Sequence, residues 1–576
     1  MKHAVSHAAS ISVPLTQLSI QYVREHAYVA YTDLQSFIRD LEARGQLLRI
    51  GVQVDPILEI SAIADRMSKL PAAGSAPPPE TDPVHGRRGG HGLLFENVKG
   101  SSIPVAINVF GSYDRMRLAL GVASFEELAE RVQQLVKPEM PTTLLEKMKK
   151  LPQLAKIAGF GPKSVKRGIC QEVVHTDDAS LLALPIIQCW PRDGEPGYGG
   201  KPPLTSPPCK GGEGGGVARE ARRQEGTTPP CPPLLRGGDG GVGTGRYITF
   251  AGIYTVDPET GDRNVGMYRV QVYDEKLAAM HWHMHHDGAR HFRKYKKRGE
   301  KMPLAIVLGG EPVLTYAATC PLPPDVSELL FAGFLNDGGI ELVVCKTIPL
   351  EVPANAEIVI EGWVDPQNLL VEGPFGDHTG FYSLADHYPA FHVTAITHRR
   401  EPIYPTTIVG PPPQEDYYLG KATERIFLPL LRMLIPDIID YHLPMFGAFH
   451  NCVFVKIRKE YPMQARKVMS SIWGAGQMMF SKMIVVVDDH VNVHDEQDVL
   501  FHMGANVDWR RDTVIVDGPC DILDHSTPYY GTGGKIGIDA TRKVPGEGLV
   551  RDWPDELSMT DETTQLVEQR WKEYGL

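Results

Sequence analysis

Apolar residues in the first part of the chain recur at the spacing of an amphipathic helix. Within residues 31–49 they fall on one side of a helix of about 3.6 residues per turn: Leu34, Phe37, Ile38 and Leu41. Gly45 lies near the predicted end, since glycine commonly follows the last helical residue. Further helices are predicted over 58–70, 126–135 and 142–157, and a strand over 93–95.

The middle third of the chain has the pattern of β-strands. Residues 247–256 and 265–272 are rich in β-branched and aromatic residues, and the turn-forming sequence 257–262 separates them. This combination predicts a β-hairpin. Short β-branched runs recur at 304–308, 341–347, 357–363 and 391–397. We therefore expect this part to be mainly β, as a barrel or a sandwich.

Beyond Tyr418 the pattern alternates between helical and strand-like segments. Helices are predicted over 423–434 and 463–472, and strands over 453–457 and 483–487. Segments 499–507 and 512–516 continue the alternation. Such alternation is typical of an α/β domain with a mixed or parallel sheet.

Glycine and proline are frequent, at 57 and 47 residues, and they are concentrated in one segment. Nearly half of residues 191–246 are Gly or Pro, and a Gly-rich unit with one basic and one acidic residue occurs there twice. Such a segment cannot bury enough apolar surface to offset the entropy of ordering it, which predicts a disordered insertion. A flexible binding loop is the alternative. Residues 72–92 are a second, weaker break and are predicted to form a surface loop.

Charge and cysteine content narrow the class of protein. The 59 Lys and Arg against 70 Asp and Glu give a net charge of −11, so we expect no nucleic-acid partner and at most peripheral contact with the inner face of the cell membrane. The eight cysteines are scattered without a C-x-x-C pair, which favours a reducing, cytoplasmic location. Polar residues interrupt 1–29, which predicts a flexible extension rather than a signal peptide.

The densest group of chemically capable residues is the sequence EGPFGDHTGFY at 372–382. Glu372 and Asp377 are separated by a Gly-Pro turn, and the glycines allow the backbone to come close to a ligand. Two carboxylates in one pocket would repel each other, which raises one pKa and creates an acid–base pair. A polar turn capped by its own acids is the alternative.

Asn264 and Arg269 belong to a second candidate segment. They are an odd number of positions apart, so in a regular strand they point to opposite faces unless a bulge at Gly266 intervenes. Arg269 is a candidate anchor for a phosphate or a carboxylate. An ordinary exposed strand arginine is the alternative.

Two further segments contain candidate ligands. The sequence HWHMHH at 281–286 has four histidines, and in a strand His281, His283 and His285 would share one face that could bind a metal. Residues 531–540 are glycine-rich around Lys535 but lack the spacing of a P-loop. We therefore interpret the second segment as a close chain crossing rather than a nucleotide site.

Taken in order, these motifs resemble the UbiD family of decarboxylases, which use prenylated FMN. The resemblance begins near residue 30 with YTDLQSFIRDLEARGQLLRI, and 191–246 is its main interruption. The other matching sequences are LPIIQCWPRDG at 184–194, NVGMYR at 264–269, VPANAEIVIEG at 352–362, EGPFGDHTGFY at 372–382 and GGKIGIDATRK at 533–543. EGPFGDHTG combined with NVGMYR is the most specific part.

The resemblance implies an α+β fold in which a central split β-barrel binds the flavin and an α/β domain follows. On this basis the chain divides into five segments. The first three are an extension at 1–29, an N-terminal α/β region at 30–190 and the insertion at 191–246. A central β-barrel domain at 247–417, expected to bind prenylated FMN and metal, and a C-terminal α/β oligomerisation domain at 418–576 follow. The family forms dimers or hexamers, so a homo-oligomer is expected.

The resemblance also implies catalytic roles for three residues. Arg269, Glu372 and Asp377 match the family's catalytic triad. Arg269 would orient the substrate carboxylate through paired hydrogen bonds, and Glu372 would hold Arg269. Asp377 would protonate the carbon after CO₂ leaves, which requires a raised pKa.

Other matching residues would bind the cofactor and a metal. The residues that match the family's metal ligands are Asn264, His285 and Glu328. The residues that match its cofactor contacts are Met267, Tyr268, Arg269, His281, Trp282, His283, His286, Asp287 and Lys535. His281 and Asp287 depart from the family pattern, which often has Arg and a small residue at these positions. Asn, His and Glu donors suit Mn²⁺ or Mg²⁺ better than a closed zinc site, and K⁺ is a further candidate.

The implied reaction is the decarboxylation of a 4-hydroxy-3-polyprenylbenzoate in ubiquinone biosynthesis. A cofactor must accept the electron pair that CO₂ leaves behind. A flavin prenyltransferase would have to supply that cofactor. A related aromatic acid, including a menaquinone-pathway carboxylate, is the close alternative, and residues 441–449 are a candidate lining of the substrate pocket. Two other classes are a metal-dependent hydrolase built on the histidines and a non-catalytic flavin-binding scaffold.

Overall fold

The computed structural model describes residues 31–74, 79–136, 159–195, 243–283, 286–323 and 326–575. Several predictions lie outside these residues: the extension 1–29, the helix 142–157 and all but the ends of the insertion 191–246. His285, one of the predicted metal ligands, also lies outside them.

The first helix, α1 (Leu34–Ala43), begins at a capping box and buries the apolar side that its spacing predicts. The Ser36 backbone N–H donates to the Asp33 carboxylate at 2.7 Å, and the Asp33 N–H donates to the Ser36 hydroxyl at 3.2 Å. These bonds satisfy two N–H groups at the helix start. The predicted end near Gly45 is confirmed, because Gly45 adopts a φ of 66° and the chain then enters strand β1 (Leu47–Ile50).

Among the described residues, the N-terminal region contains three more helices and a small sheet. Helices α2 (Glu59–Ser68) and α4 (Phe125–Val136) confirm two predictions, and α3 (Tyr113–Ala119) lies between them. The sheet order is β1, β2 (Gly92–Phe95), β3 (Val105–Ile107) and β16 (Tyr404–Pro405). Because β16 comes from far along the chain, this sheet ties the N-terminal region to the central one.

In the described part of the chain, nine strands form the central sheet. They are β5 (Val173–His175), β6 (Tyr247–Ile248), β7 (Gly252–Val256), β8 (Arg263–Met267), β9 (Val270–Val272), β10 (Leu277–Met280), β11 (Met302–Leu308), β14 (Ile358–Glu372) and β15 (Asp386–His398). Their order is β6-β9-β10-β15-β14-β11-β7-β8, with β5 paired to β15. Among the described strands this path is open, as in a half-barrel. The mixed helix-and-sheet class is confirmed, while the split flavin-binding barrel stays a prediction.

The hairpin predicted in this sheet is confirmed for β7 and β8. Thr255 pairs with Asn264 and Ile253 with Gly266, without a bulge. The chain then leaves the sheet at Tyr268 and Arg269 before β9 begins. This break, rather than a bulge at Gly266, allows the side chains of Asn264 and Arg269 both to be buried.

Strands β14 and β15 are longer than the predicted segments 357–363 and 391–397. They pair from Ile358 opposite His398 to Glu372 opposite Asp386, and register shifts follow Glu361 and Asp365. Such shifts let a long hairpin bend. The extra length carries the chain to Glu372 and makes the 373–385 segment the loop between the two strands.

Three helices and another small sheet lie beside the central sheet. The helices are α5 (Asp287–Arg298), α6 (Pro312–Ala317) and α7 (Glu328–Leu335). The small sheet has the order β13 (Glu351–Pro353), β12 (Glu341–Val344) and β4 (Lys163–Val165). Apart from Glu328 at its start, α7 is composed of apolar residues, most of them buried.

The C-terminal region is an α/β unit with a mixed sheet, as predicted. The strand order is β17 (Ile438–His442), β18 (Cys452–Ile457), β19 (Met483–Val487), β21 (Thr532–Asp539) and β20 (Thr513–Pro519). The two inner pairs are parallel and the two outer pairs antiparallel. Strand β19 has the predicted bounds, and apolar clusters cover both faces of the sheet.

The remaining helices belong to this end of the chain. They are α8 (Glu415–Ile426), α9 (Leu428–Leu434), α10 (Gln464–Trp473), α11 (Glu496–Asn506) and α12 (Asp561–Arg570). The single helix predicted over 423–434 is two helices, because a proline in the first turn of α9 starts a new one. In the part of the chain that the structure describes, no helix is both long and apolar enough to cross a membrane.

Gly333 tests how closely α7 packs against the N-terminal region. A Cβ atom there would lie 2.0 Å from the Phe160 carbonyl oxygen, whereas a Cβ at Gly338 would have no atom within 4 Å. We expect Gly333→Ala to destabilise the fold by about 1–3 kcal/mol, because backbone has to move. Gly338→Ala is the matched control and should keep the thermal unfolding midpoint of the wild type. Equal midpoints for the two variants would contradict this packing.

Candidate active site

Arg269 lies between β8 and β9 and is buried against two carboxylates. Its Nε donates to Glu372 Oε1 at 2.8 Å and its Nη2 to Glu372 Oε2 at 3.2 Å. Its Nη1 donates to Asp377, and Nη2 also donates to the Ser383 hydroxyl at 3.0 Å. We call Arg269, Glu372 and Asp377 the arginine cluster. The structure thus brings Arg269 together with two acids that lie more than 100 positions further along the chain.

The loop that follows β14 positions the two acids. The Gly373 N–H donates to the Gln271 side chain at 2.9 Å, and Gly373 has a φ of 95°, which favours glycine. The Gly376 N–H donates to Asp193 Oδ1 at 2.8 Å. A Cβ at Gly376 would lie 2.2 Å from Trp190 Cδ1. Since Trp190 and Asp193 belong to the 184–194 motif, that motif supports the loop.

The guanidinium controls the charge of both acids. Burial would raise the pKa of Glu372, but the charge of Arg269 and the hydrogen bonds from Arg269 and His281 outweigh burial and lower this pKa to about 2. Burial would also raise the pKa of Asp377, but Arg269 and His378 hold this pKa well below its usual range. The expectation of a raised pKa at Asp377 is wrong for this arrangement, because a cation lies between the two acids and offsets their repulsion.

Aromatic rings cover the cluster. The Arg269 guanidinium carbon lies 4.6 Å from the centroid of the Phe375 ring. Phe375 in turn contacts Tyr247, with ring centroids 4.6 Å apart. A cation on an aromatic face in a desolvated site is stabilised by the ring quadrupole. These rings therefore help to hold the buried charge.

The histidine-rich segment lies beside the arginine cluster but not in a strand. Strand β10 ends at Met280, so the prediction of a shared strand face is wrong for His281 and His283. His281 Nδ1 lies 2.8 Å from Glu372 Oε2, and its Nε2 lies 2.7 Å from His283 Nε2. Burial and Arg269 lower the pKa of His281, so a neutral ring bonds Glu372. The His286 ring stacks on the ring of His283 at 4.8 Å.

The predicted metal ligands Asn264 and Glu328 are neighbours. Glu328 Oε2 accepts a hydrogen bond from the Val265 N–H at 3.0 Å, next to Asn264. Burial raises the pKa of Glu328 to about 7. The Asn264 side-chain nitrogen is buried without a hydrogen bond of normal geometry, although the amide is close enough to Tyr268 to affect the pKa of that hydroxyl. A divalent cation would offset the cost of burying this carboxylate, so the two residues fit a metal site.

The other predicted cofactor contacts are more widely placed. Trp282 is buried, and its indole nitrogen has no hydrogen-bond partner in the described ranges. Met267 ends β8 and is half-buried, while Asp287 begins α5 and pairs with Arg290 at 3.2 Å. Lys535 lies in β21, where its ammonium group donates to the Met479 carbonyl rather than to the arginine cluster.

Two other groups of side chains have the spacing of metal ligands within the described residues: Glu424, His442 and His494, and His490, His502 and Glu556. Neither group includes a predicted ligand. In the first group, Lys421 Nζ lies 2.6 Å from Glu424 and 2.9 Å from His442. The ammonium group therefore already provides the cation there.

Four residues near the cluster were not singled out from the sequence as site residues: Asp193, His378, Ser383 and Asp521. His378 follows Asp377 directly, and its Nδ1 lies 3.2 Å from Asp377 Oδ1. This adjacency in the sequence is a signal from which His378 can be predicted as a site residue. Asp521 is far along the chain and approaches His378 only through folding, so no local pattern could reveal it.

A cavity of about 810 Å³ lies elsewhere in the molecule. Its lining includes Gln35, Arg39, His175 and His398 but no residue of the arginine cluster. Charge and burial, rather than cavity size, therefore identify the candidate site.

Three family profiles match the chain in succession. They are described as the N-terminal, Rift-related and C-terminal domains of 3-octaprenyl-4-hydroxybenzoate carboxy-lyase and match residues 38–135, 237–412 and 417–540. An uncharacterized protein of Aquifex aeolicus is 46% identical over 95% of this chain and 99% of its own length. An uncharacterized protein of Archaeoglobus fulgidus is 43% identical with the same coverage.

Solved structures agree with these matches. The vanillic acid decarboxylase of Sedimentibacter hydroxybenzoicus in closed form is 26% identical, with a TM-score of 0.72 over 94% of this chain and 99% of that one. The UbiD-class enzyme HmfF of Pelotomaculum thermopropionicum in complex with FMN is 26% identical, with a TM-score of 0.65 over 91% and 97%. The apo 3,4-dihydroxybenzoic acid decarboxylase of Klebsiella pneumoniae, 20% identical with a TM-score of 0.66, shares the fold over 93% and 99%.

Glu372→Gln tests the electrostatics of the cluster. The pKa of Glu372 in the folded protein is about 2, below the 4.5 of an ordinary glutamate. Its charge therefore stabilises the fold above pH 4.5 and stops doing so as the pH falls toward 2. We expect the variant to lose roughly 3 kcal/mol of unfolding free energy at pH 7, and to lose less than the wild type on acidification.

Denaturant unfolding at neutral pH and near pH 3 measures both effects. The matched control is Glu259→Gln, which removes an exposed partner of Lys294 and should change little. An unchanged unfolding free energy for Glu372→Gln at neutral pH would contradict the buried ion pair.

Proposed function

We propose that this chain, which belongs to the UbiD family of carboxy-lyases, removes CO₂ from an aromatic acid with prenylated FMN as its cofactor. The substrate we propose is a 4-hydroxy-3-polyprenylbenzoate of ubiquinone biosynthesis, because the matching family profiles carry that description. The observation that carries the proposal is the arginine cluster. A buried cation between two buried acids can bind a carboxylate and hold a proton in one place.

Arg269 would bind the substrate carboxylate through the one N–H group that its partners among the described residues leave free. A guanidinium has five N–H groups, and bonds to Glu372, Asp377 and Ser383 use four of them. The remaining N–H is on Nη1, the nitrogen that also binds Asp377. The substrate would therefore begin with one hydrogen bond to Arg269, and a second donor becomes available when Asp377 is protonated and releases Nη1.

Asp377 would hold the proton that replaces CO₂. Without substrate, Asp377 is ionised because Arg269 lies beside it. A substrate carboxylate at Nη1 would place a second negative charge next to Asp377. Like charges disfavour ionisation, so substrate binding would raise the pKa of Asp377 and favour uptake of a proton. Glu372, with a pKa of about 2, would stay ionised and keep Arg269 in place. The different surroundings of the two acids would thus make Asp377 the proton donor and Glu372 the permanent anion that positions Arg269.

Prenylated FMN, when bound, would supply the electron sink for the pair of electrons that CO₂ leaves behind. The buried indole N–H of Trp282, which has no partner among the described residues, and the stacked rings of Tyr268 and His286 fit a polar, planar group. The other residues that would hold it are Met267, Arg269, His281, His283, Asp287 and Lys535. Solved complexes of HmfF with FMN and, in an evolved dimeric form, with prFMN support this cofactor.

Asn264, His285 and Glu328 would hold a divalent cation, Mn²⁺ or Mg²⁺, with K⁺ as a further ion. The adjacency of Asn264 to the buried Glu328 carboxylate supports this. Oxygen and nitrogen donors of this kind suit these ions. Such a cation would supply positive charge that offsets the buried Glu328 carboxylate.

Two partners follow from the proposal. A flavin prenyltransferase would have to supply the modified flavin. The chain would also form a homo-oligomer, a dimer or a hexamer, through residues 418–576, and the evolved dimeric form of HmfF supports assembly within the family.

A related aromatic acid is the second candidate substrate. The structure with a TM-score of 0.72 is a decarboxylase of vanillic acid, a hydroxybenzoate without a prenyl chain. A menaquinone-pathway carboxylate would be a bicyclic member of the same class. Substrate specificity therefore has to be decided by assay.

We expect the protein to release CO₂ from aromatic acids only when it is produced together with a flavin prenyltransferase. Three acids distinguish the candidates: 4-hydroxy-3-prenylbenzoate, vanillic acid and a dihydroxynaphthoate. The prenylated acid should be the best substrate by kcat/KM. Higher kcat/KM for one of the other acids would overturn the proposed substrate while leaving the reaction class intact.

The matched control is Asp377→Asn, made with the same prenyltransferase. It should retain the flavin absorption and lose turnover by about 10²-fold or more, as expected for removal of a general acid. Full wild-type activity without flavin, abolished by chelation, would instead indicate a metal-dependent hydrolase and would contradict the proposal.

A further inference from the structure

Decarboxylation without oxidation consumes one proton per turnover, because a carboxylate leaves as CO₂ and hydrogen takes its place. This inference rests on the proposed function. Asp377 would deliver that proton, yet it is only 8% exposed and begins each cycle ionised beside Arg269. The site therefore needs a neighbouring group that can give Asp377 a proton.

His378 is the group in position to do so. Its Nδ1 lies 3.2 Å from Asp377 Oδ1, on the side of the carboxylate away from the oxygen that binds Arg269. The two residues are adjacent in the loop after β14, and His378 also donates its backbone N–H to the same oxygen at 2.8 Å. Asp377 is thus held between the guanidinium and the imidazole.

The other side of His378 faces acids from the C-terminal region. Its Nε2 lies 3.8 Å from Asp521 Oδ2 and has no hydrogen-bond partner among the described residues. Asp521 Oδ2 lies 3.1 Å from His450 Nε2. The Phe449 ring packs against His378 at 5.2 Å between ring centroids. His378 and Asp521 are each 13% exposed, so the pair is largely shielded from water.

The charged neighbours favour the imidazolium. Burial alone would lower the pKa of His378, but Asp377, Asp521 and Asp416 outweigh burial and raise it to about 9. His450, the other titratable ring here, lies farther away, with ring centroids 6.4 Å apart. His378 therefore carries a proton at neutral pH.

We infer that His378 is the positioning residue that supplies the proton to Asp377. In this step the Nδ1–H bond of the imidazolium breaks, its electron pair stays on the ring, and an O–H bond forms on Asp377. The neutral ring takes up a proton from water between turnovers. Asp521, supported by His450, stabilises the recharged ring. Substrate binding at Arg269 is the trigger, since it makes the neutral form of Asp377 more favourable.

The variant His378→Gln, in the cofactor-loaded enzyme, tests whether His378 supplies the proton. The substrate is whichever of 4-hydroxy-3-prenylbenzoate, vanillic acid and the dihydroxynaphthoate the wild type turns over best. We expect kcat to fall by about 10²-fold with KM little changed. The wild-type rate should decline only above about pH 9, where His378 loses its proton. In the variant the rate should already decline with rising pH across the neutral range, and added imidazole should restore part of it.

The matched control is His490→Gln, which removes another histidine paired with a carboxylate, Glu556 at 2.8 Å. It should keep the rate and pH profile of the wild type. Asp521→Asn should shift the alkaline limit of kcat downward without loss of flavin. A wild-type pH profile in His378→Gln would overturn the inference, and so would a loss of rate that is independent of pH and not rescued by imidazole.

The charge of His378 can also be read without turnover. In ¹⁵N-histidine NMR, the signal missing from His378→Gln identifies the residue, and we expect a protonated ring at pH 8 that becomes neutral in Asp521→Asn. A neutral ring in the wild type at pH 8 would overturn the inference. If the wild type decarboxylates none of the acids, the proposed function fails, while this measurement still decides whether His378 carries the proton.

Discussion

The buried charge of Arg269 imposes the main constraint on this structure. An ion removed from water costs several kcal/mol unless charges and hydrogen bonds replace its hydration. Glu372 and Asp377 provide them, together with the ring of Phe375. Strand β14 must therefore extend to Glu372, and the loop beyond it must fold back over the guanidinium. The 184–194 motif supports that loop because the Asp193 carboxylate binds the Gly376 N–H.

In the proposed reaction, the same charge would link substrate binding to catalysis. Arg269 keeps Asp377 ionised until another anion shares the guanidinium, so the acid would become available only when substrate is present. His378 lies on the opposite side of the Asp377 carboxylate and is held protonated by acids from the central and C-terminal regions. The charge balance of the site therefore depends on both regions being folded together.

Local patterns predicted the elements whose packing is uniform along their length. Strand β19 is apolar throughout and was predicted with its observed bounds, and α4 shows a regular helical period. Patterns failed where one residue divides an element, as Pro429 does by starting α9 within the predicted helix 423–434. The family resemblance identified the residues of the arginine cluster, but the depressed pKa of Asp377 depends on distances between side chains. Asp521 approaches the site only through folding, so no local sequence signal could include it.

The central claim is that this site replaces a carboxylate with a proton taken from water. Running the reaction of the cofactor-loaded enzyme in D₂O with 4-hydroxy-3-prenylbenzoate and examining the product by NMR tests it directly. We expect one deuterium, at the carbon that carried the carboxylate, for each CO₂ released. A product without deuterium at that carbon, or consumption of the acid without release of CO₂, would contradict it.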